Sequence, residues 1–345
     1  MHIDTDRMLE FLTELLDIPS PTGLTGDAIA YVRQLQRIVG ETLAQTPKGA
    51  LVATWPGERD DAPRALTAHV DTLGAMVQQI KANGRLQLVA IGGLQWPSVE
   101  GEGVTVHASD GKAWRGSVLP VAASGHATPP DQRHAKREFD SMEVRLDART
   151  TSQQETEDLG IRVGDFASFD PRVELGEAGF VRSRFLDDKA CVAAIFAALE
   201  ALHSAGLRPR QRTTIHISNY EEVGHGASAG LPADLADLVV VDMAVVAPGQ
   251  ASDEFSVTIC ARDAGGPYDL SLRRELEALA LAQGLRWCTD VYLYYQSDGT
   301  AYWHAGGNVR VGLIGPGVDA SHHYERTHRA ALENTARLIA AYLLS

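Results

Sequence analysis

Five apolar runs in this chain each end in acids or histidines, and that pattern narrows the folds open to it. The clusters read AHVD (His69, Asp71), FLDDK (Asp187, Asp188), YEEVG (Glu221, Glu222), VVVDM (Asp242) and ASHHYE (His322, His323). A charge at the mouth of a buried strand is costly unless it is paired or bound to a cation. One such cluster would be ordinary, whereas five in one chain ask for a common explanation.

The runs between the clusters suggest how they are carried. Met8, Leu9, Phe11, Leu12, Leu15 and Leu16 recur at helical spacing and stop at Pro19 and Pro21. A second helix is expected from about Thr25 to Ile38. LVATWPG and RALTAHVD read as strands, the second apolar enough to be central. After Asp71 the texture becomes β-rich. AMVQQIKANGRLQLVAI reads as strand, Asn83-Gly84, strand, a type I′ hairpin signal, and GVTVHASDGKAWRGSVLP repeats it at Asp110-Gly111. MEVRLDA adds a strand, a short helix is expected near Ser152 to Leu159, and the Pro-rich segment 126–140 reads as an exposed loop. From about residue 166 strands again alternate with helices, with strands expected at TTIHISNYE, LVVVDMAVV, EFSVTICA, VYLYY and NVRVGLIG. Helices are expected after FLDDK, over 271–284 and from Arg329 to Leu343.

The expected fold is therefore α/β, a mostly parallel sheet with helices on both faces, built from residues 1–72 and 161–345. A small β-barrel or sandwich over 73–160 interrupts it. Open sheets of this kind bind ligands outside the carboxyl ends of their strands, where the five clusters would fall.

The net charge of −14 argues against nucleic acid and anionic membrane surfaces as partners, since both demand a basic footprint. No apolar stretch reaches membrane-spanning length, and 44% apolar with 22% charged residues reads as a soluble globular protein. MHIDTDRMLEFLTELLDI lacks the basic start of a signal peptide. Cys191, Cys260 and Cys288 are far apart and odd in number, as expected of reduced thiols in a cytoplasmic protein.

Each cluster has a plain reading beside the chemical one. Asp187-Asp188 precedes a helix and suits either an N-cap with a first-turn acid or a carboxylate bridging two metals. Glu221-Glu222 before Gly224 is either an exposed loop pair or one metal ligand beside one free base. His69 is either a satisfied core histidine or a ligand whose other ring nitrogen is held by Asp71. Asp242 ends the run LVVV and needs a partner, while His322-His323 beside Glu325 could be a surface loop. Together the clusters can supply two His, two Asp and one Glu as ligands, with a Glu and an Asp among those to spare, about what two ions sharing one carboxylate require.

In the order AHVDT, FLDDKAC, YEEVGHG, VVVDM and SHHYERTH, these motifs resemble the M42 metallo-aminopeptidases, relatives of the M20 and M28 peptidases. DLGIRVGDFASFDP and GGPYD extend the resemblance over nearly the whole chain. The resemblance implies two divalent ions, Zn, Co or Mn, per subunit. His69, Asp187 and Asp242 would hold one, and Asp187, Glu222 and His322 the other, with His322 preferred to His323. Glu221 would be the general base and Asp71 would orient His69. It also implies release of N-terminal residues from short peptides, and a β-rich insertion that serves dimerisation within a homo-oligomer, up to a dodecamer. Cys191 stands where the pattern has glycine and Thr72 where it more often has Glu, which leaves the ligand set intact. The competing enzymatic reading is an M20-like deacylase or amidohydrolase acting on N-acyl amino acids or modified small peptides.

Overall fold

The computed structural model describes residues 2–39 and 43–345. The chain divides into two compact units, one formed by residues 1–71 and 172–345 and the other by 72–171.

In the larger unit four central strands run parallel in the order Gln211–Ser218, Arg59–His69, Asp237–Val241, Arg310–Asp319. Their sequences are rich in Val, Ile, Leu and Thr, as strands buried on both faces require. Register aligns their ends: Ser218 pairs with His69, Val240 with Thr67, and Val241 with Ile314. The sheet continues antiparallel on both sides, through Leu51–Trp55 and through Val257–Asp263, and Trp287–Val291 then pairs parallel with Val257–Asp263. LVVVDMAVV is two strands, broken at Asp242-Met243, and the expected strand at VYLYY is instead Trp287–Val291 followed by loop.

Alternation along the strands assigns the faces. Ala65, Leu238, Val240, Val311 and Leu313 gather in one apolar cluster with Tyr268 and Tyr292, and Tyr302 and Trp303 of the helix Asp298–His304 pack against it. Gly312, between Val311 and Leu313, backs instead on Leu272 and Leu276 of the helix Leu270–Ala282. Helices thus cover both faces. The helix Leu186–Ser204 is buried nearly all round, packed between the helices Thr5–Leu16 and Arg329–Leu344. Lys189 lies wholly inside, where burial lowers its pKa to about 7, and its Nζ donates to the carbonyls of Leu15 (3.0 Å) and Ile18 (2.7 Å), capping the end of the first helix.

The smaller unit is a closed six-stranded antiparallel barrel, in the order Gly74–Ile80, Leu86–Ile91, Met142–Leu146, Ala113–Pro120, Gly103–His107, Phe166–Phe169. Its last strand lies beyond the expected edge at residue 160. Phe166–Phe169 pairs with both Gly103–His107 and Gly74–Ile80 and so closes the barrel, a long-range pairing that local texture does not encode. The hairpins also differ from expectation. At both, only the glycine has positive φ, 80° at Gly84 and 85° at Gly111. Each loop closes through Lys81 N to Arg85 O or Ala108 N to Lys112 O, both 2.8 Å, leaving three residues inside. These are type I turns followed by a left-handed glycine, and Asn83 and Asp110 instead accept from the N–H two residues on.

Candidate metal centre

The four parallel strands deliver His69, Asp242, the Glu221-Glu222 turn and the His322 loop to one edge of the sheet. Asp187 and Asp188 reach it from the start of the buried helix, where they leave helical geometry and share a cis peptide bond. Their carboxylates turn to His69: Asp188 Oδ2 accepts from its backbone N–H at 3.2 Å and Asp187 Oδ1 lies 3.1 Å from its ring. Four non-glycine residues with positive φ, Phe185 (70°), Tyr220 (76°), Ala320 (59°) and His322 (65°), lie at or within two residues of these acids and histidines. Such backbone costs about 1–3 kcal/mol per residue and collects at functional sites.

Two groups of ligand atoms result. Those of His69, Asp187 and Asp242 lie within 4.8 Å of one another, and so do those of Asp187, Glu222 and His322. Asp187 belongs to both: its Oδ1 is 3.1 Å from His69 Nε2 and its Oδ2 3.6 Å from His322 Nε2. Glu222 Oε2 is 3.8 Å from His322 Nε2. His323 is exposed and outside both groups. Glu221 belongs to neither, but its Oε2 lies 3.7 Å from His69 Nε2 with the side chain 14% exposed.

Asp71 works differently from expectation. Its backbone carbonyl, not its carboxylate, is within hydrogen-bond distance of His69 Nδ1, at 2.9 Å against 3.6 Å. The carboxylate accepts from the backbone N–H groups of Glu221 (3.2 Å) and Glu222 (3.3 Å) and from Thr22 Oγ1 (2.7 Å). One aspartate thus fixes the imidazole through its main chain and the glutamate turn through its side chain.

Other supports escaped the sequence reading. Glu325, buried in the strand Glu325–His328, accepts from the N–H of Asp187 and of His322, both 3.1 Å, and so joins the two sides of the second group. Asp298 opens the helix Asp298–His304, and accepts from Ala227 N at 2.7 Å and from Ser218 Oγ. Lys48 donates to the His225 carbonyl, to the Gly226 carbonyl at 3.1 Å and to Ser228 Oγ at 2.9 Å, stapling the loop beyond Glu222. Gly315 lies so close to the Asp242 carbonyl that a side chain there would collide with it. Glu325 had a legible signal, an acid within an alternating strand beside the histidine pair.

The electrostatics call for positive charge. Burial pushes the Asp242 carboxyl up to about 8, and Asp187 adds to the rise. Burial also raises Asp188, with Asp242 next in effect, and Glu222, with Asp187 next. Burial raises Glu221 too; His69 opposes this and Asp242 reinforces it. Burial alone would lower His69, but Glu221 and Asp187 outweigh it and the imidazole is raised. Asp242 Oδ1 and Asp188 Oδ1 are buried without a hydrogen-bond partner among the described residues. Ligands around a tetrahedral ion at about 2.0–2.1 Å stand about 3.3 Å apart, close to the 3.1, 3.6 and 3.8 Å separations here. Orphaned carboxylate oxygens, mutual repulsion and imidazole–carboxylate donors together fit divalent cations.

The fold and this array define a metallohydrolase of the α/β type. The chain belongs to the M42 glutamyl aminopeptidase family, whose model matches residues 49–338, and is accordingly a metal-dependent peptide hydrolase. "Putative aminopeptidase YhfE" of Bacillus subtilis (strain 168) is 43% identical over 339 residues, covering 98% of each chain. Among solved structures, the aminopeptidase APDkam598 of Desulfurococcus kamchatkensis superposes with a TM-score of 0.88 at 22% identity, over 98% of this chain and 95% of the other. The Pyrococcus horikoshii TET1 peptidase, described as able to assemble into a tetrahedron or a large octahedral shell, gives 0.82 at 22% identity, over 98% and 99%. Both share the fold. Among the described residues no helix is long and apolar enough to cross a membrane.

Proposed function

We propose that this protein releases N-terminal residues from short peptides, with Glu221 moving the proton beside two divalent ions. His69, Asp187 and Asp242 would hold one ion, and Asp187, Glu222 and His322 the other. The observation that carries this reading is the membership of Asp187 in both groups while Glu221 stays outside them and within reach. Divalent ions in such a site supply Lewis-acid polarisation of the scissile carbonyl and acidify water toward neutral pH.

The chain's own residues do the rest. Glu221 takes the proton of the attacking water and returns it to the leaving amine. Asp71 keeps the Glu221 backbone in position and steadies the His69 ring, and Glu325 steadies Asp187 and His322. A free α-amino group would find the acid-rich mouth of the site attractive, which favours exopeptidase over deacylase action. Zn, Co and Mn all suit these donors. The barrel is proposed as a dimerisation unit of a homo-oligomer, up to a dodecamer, a reading supported by the assembly of the TET1 relative. The free thiols Cys191, Cys260 and Cys288 accord with a cytoplasmic setting.

Glu221→Gln should lower kcat about 10²–10⁴-fold while elemental analysis finds the metal content unchanged. A near-normal rate would remove Glu221 from the role of base. A panel of aminoacyl amides and N-acetyl amino acids should show cleavage of the first set. Preference for the acetylated set would favour the deacylase reading.

A further inference from the structure

The segment between the strand Trp287–Val291 and the helix Asp298–His304 is braced along its length. Ala264 N donates to the Tyr295 carbonyl at 2.9 Å. The Tyr268 hydroxyl and Ser297 Oγ are 2.8 Å apart, and Asp298 is anchored by Ala227 and Ser218. The turn that supplies Ala264 is tied to buried Asp263, which accepts from Gly265 N (2.7 Å), the Tyr268 hydroxyl (2.8 Å) and Thr300 Oγ1 (2.8 Å). The Tyr295 ring packs on Tyr292, with centroids 5.3 Å apart, and against the apolar cluster containing Val240 and Leu313.

The Tyr295 hydroxyl is thus held in place, yet it is buried and makes no hydrogen bond of good geometry among the described residues, although it stands close enough to Asp242 to lower that carboxyl. The ionisable groups it faces are Asp242, Tyr268, Asp187 and Glu221, three of them in the metal centre. A buried donor left without a well-aligned acceptor is costly. Native structures tolerate that where a ligand completes the bond.

We propose that the Tyr295 hydroxyl donates a hydrogen bond to the scissile carbonyl oxygen, and that the bond strengthens as negative charge builds there in the tetrahedral transition state. The proton stays on Tyr295 throughout. A neutral, preoriented O–H dipole suits this spot, because the surrounding acids would repel an oxyanion. The inference rests on the reading of Asp187 and Asp242 as metal ligands.

Tyr295→Phe removes the hydroxyl and keeps the ring. In metal-loaded protein, kcat on an aminoacyl anilide should fall about 10²-fold, with KM changed less than about threefold. Metal content and thermal midpoint should match the wild type. A phosphonate dipeptide that mimics the tetrahedral species should lose affinity by a similar factor, and the free amino-acid product should lose little. Unchanged kcat or unchanged phosphonate affinity would overturn the proposal. So would a slower enzyme that has also lost metal, since Tyr295 would then only support Asp242. If the wild type itself left the anilide intact, the aminopeptidase reading would fail, while the phosphonate comparison would still test the hydroxyl.

Discussion

Asp237 and Asp242 lie at opposite ends of one strand segment and are equally hidden, 1% and 3% exposed, yet their surroundings are opposite. Asp237, at the amino end, meets a fork from Arg310 at 2.7 and 2.9 Å, a second guanidinium from Arg64 at 3.8 Å, and the Tyr342 hydroxyl at 3.3 Å. Asp242, at the carboxyl end, feels burial and then Asp187, which His69 and Tyr295 only partly offset and Asp298 reinforces, and its Oδ1 makes no hydrogen bond of good geometry among the described residues. A buried acid with its cations built in is structural. A buried acid surrounded by other acids awaits a cation from outside. The same backbone thus keeps a finished ion network at one end and a deliberately incomplete one at the other.

The contrast breaks most visibly if both aspartates are removed in turn. Asp242→Ala should lose metal and activity, with kcat down by at least about 10³-fold. In chelator-treated protein the same change should raise unfolding stability by on the order of 2 kcal/mol, because one buried, repelled carboxyl is gone. Asp237→Ala should do the reverse, costing about 3 kcal/mol in urea unfolding while metal content stays normal. That lies at the low end for a broken buried pair, because the Arg310 side chain is 37% exposed. If both variants moved stability the same way, the two ends would not differ as described.

This asymmetry explains how much was legible in the sequence. Acids and histidines ending apolar runs marked the incomplete end, because uncompensated charge beside Val240 and Val241 has few structural excuses. The finished end was silent: Arg64, Arg310 and Asp237 are far apart in sequence and look like ordinary strand-edge charges. Within the centre, the clusters of acids and histidines were readable from type and order, the family resemblance singled out His69, Asp187, Glu222, Asp242 and His322 within them, and the structure places those five in two overlapping groups. The bonds made by Glu325, Asp298 and Lys48 were not readable, because they join segments that meet only in three dimensions. The barrel edge failed for the same reason, since FASF is a plausible strand in either unit until its two partners are known.

A third buried group sits between the two ends. His216, in the central strand Gln211–Ser218, is fully buried with Nδ1 2.9 Å from Thr67 Oγ1, and burial lowers its pKa to about 4, with Lys48 adding to the effect. Below the ordinary histidine value the unfolded chain binds a proton that the folded chain refuses. Stability from this group is complete above about pH 6.5 and drains away as the pH falls toward 4. The loss should total about 2–3 kcal/mol. His216→Leu should flatten that part of the profile, read as urea midpoints from pH 7 to 4.5 in chelator-treated protein. A slope identical to the wild type would mean that the metal-centre acids alone set the acid limit.

The smallest effect tests whether the finished end depends on charge or on shape. Arg310 reaches Asp237 with Nε and Nη2, and its Nη1 donates to Glu275 at 2.8 Å and to Ser271 Oγ at 3.1 Å. Arg310→Lys keeps the charge but cannot form the two-pronged contact, because an ammonium is a point donor on a flexible stem. Arg64 stays in place and still offsets part of the Asp237 charge. The expected cost is therefore only about 1 kcal/mol in unfolding free energy, with kcat and metal content unaltered. A loss as large as that of Asp237→Ala would mean that the fork geometry, and not mere neutralisation, holds this end of the sheet together.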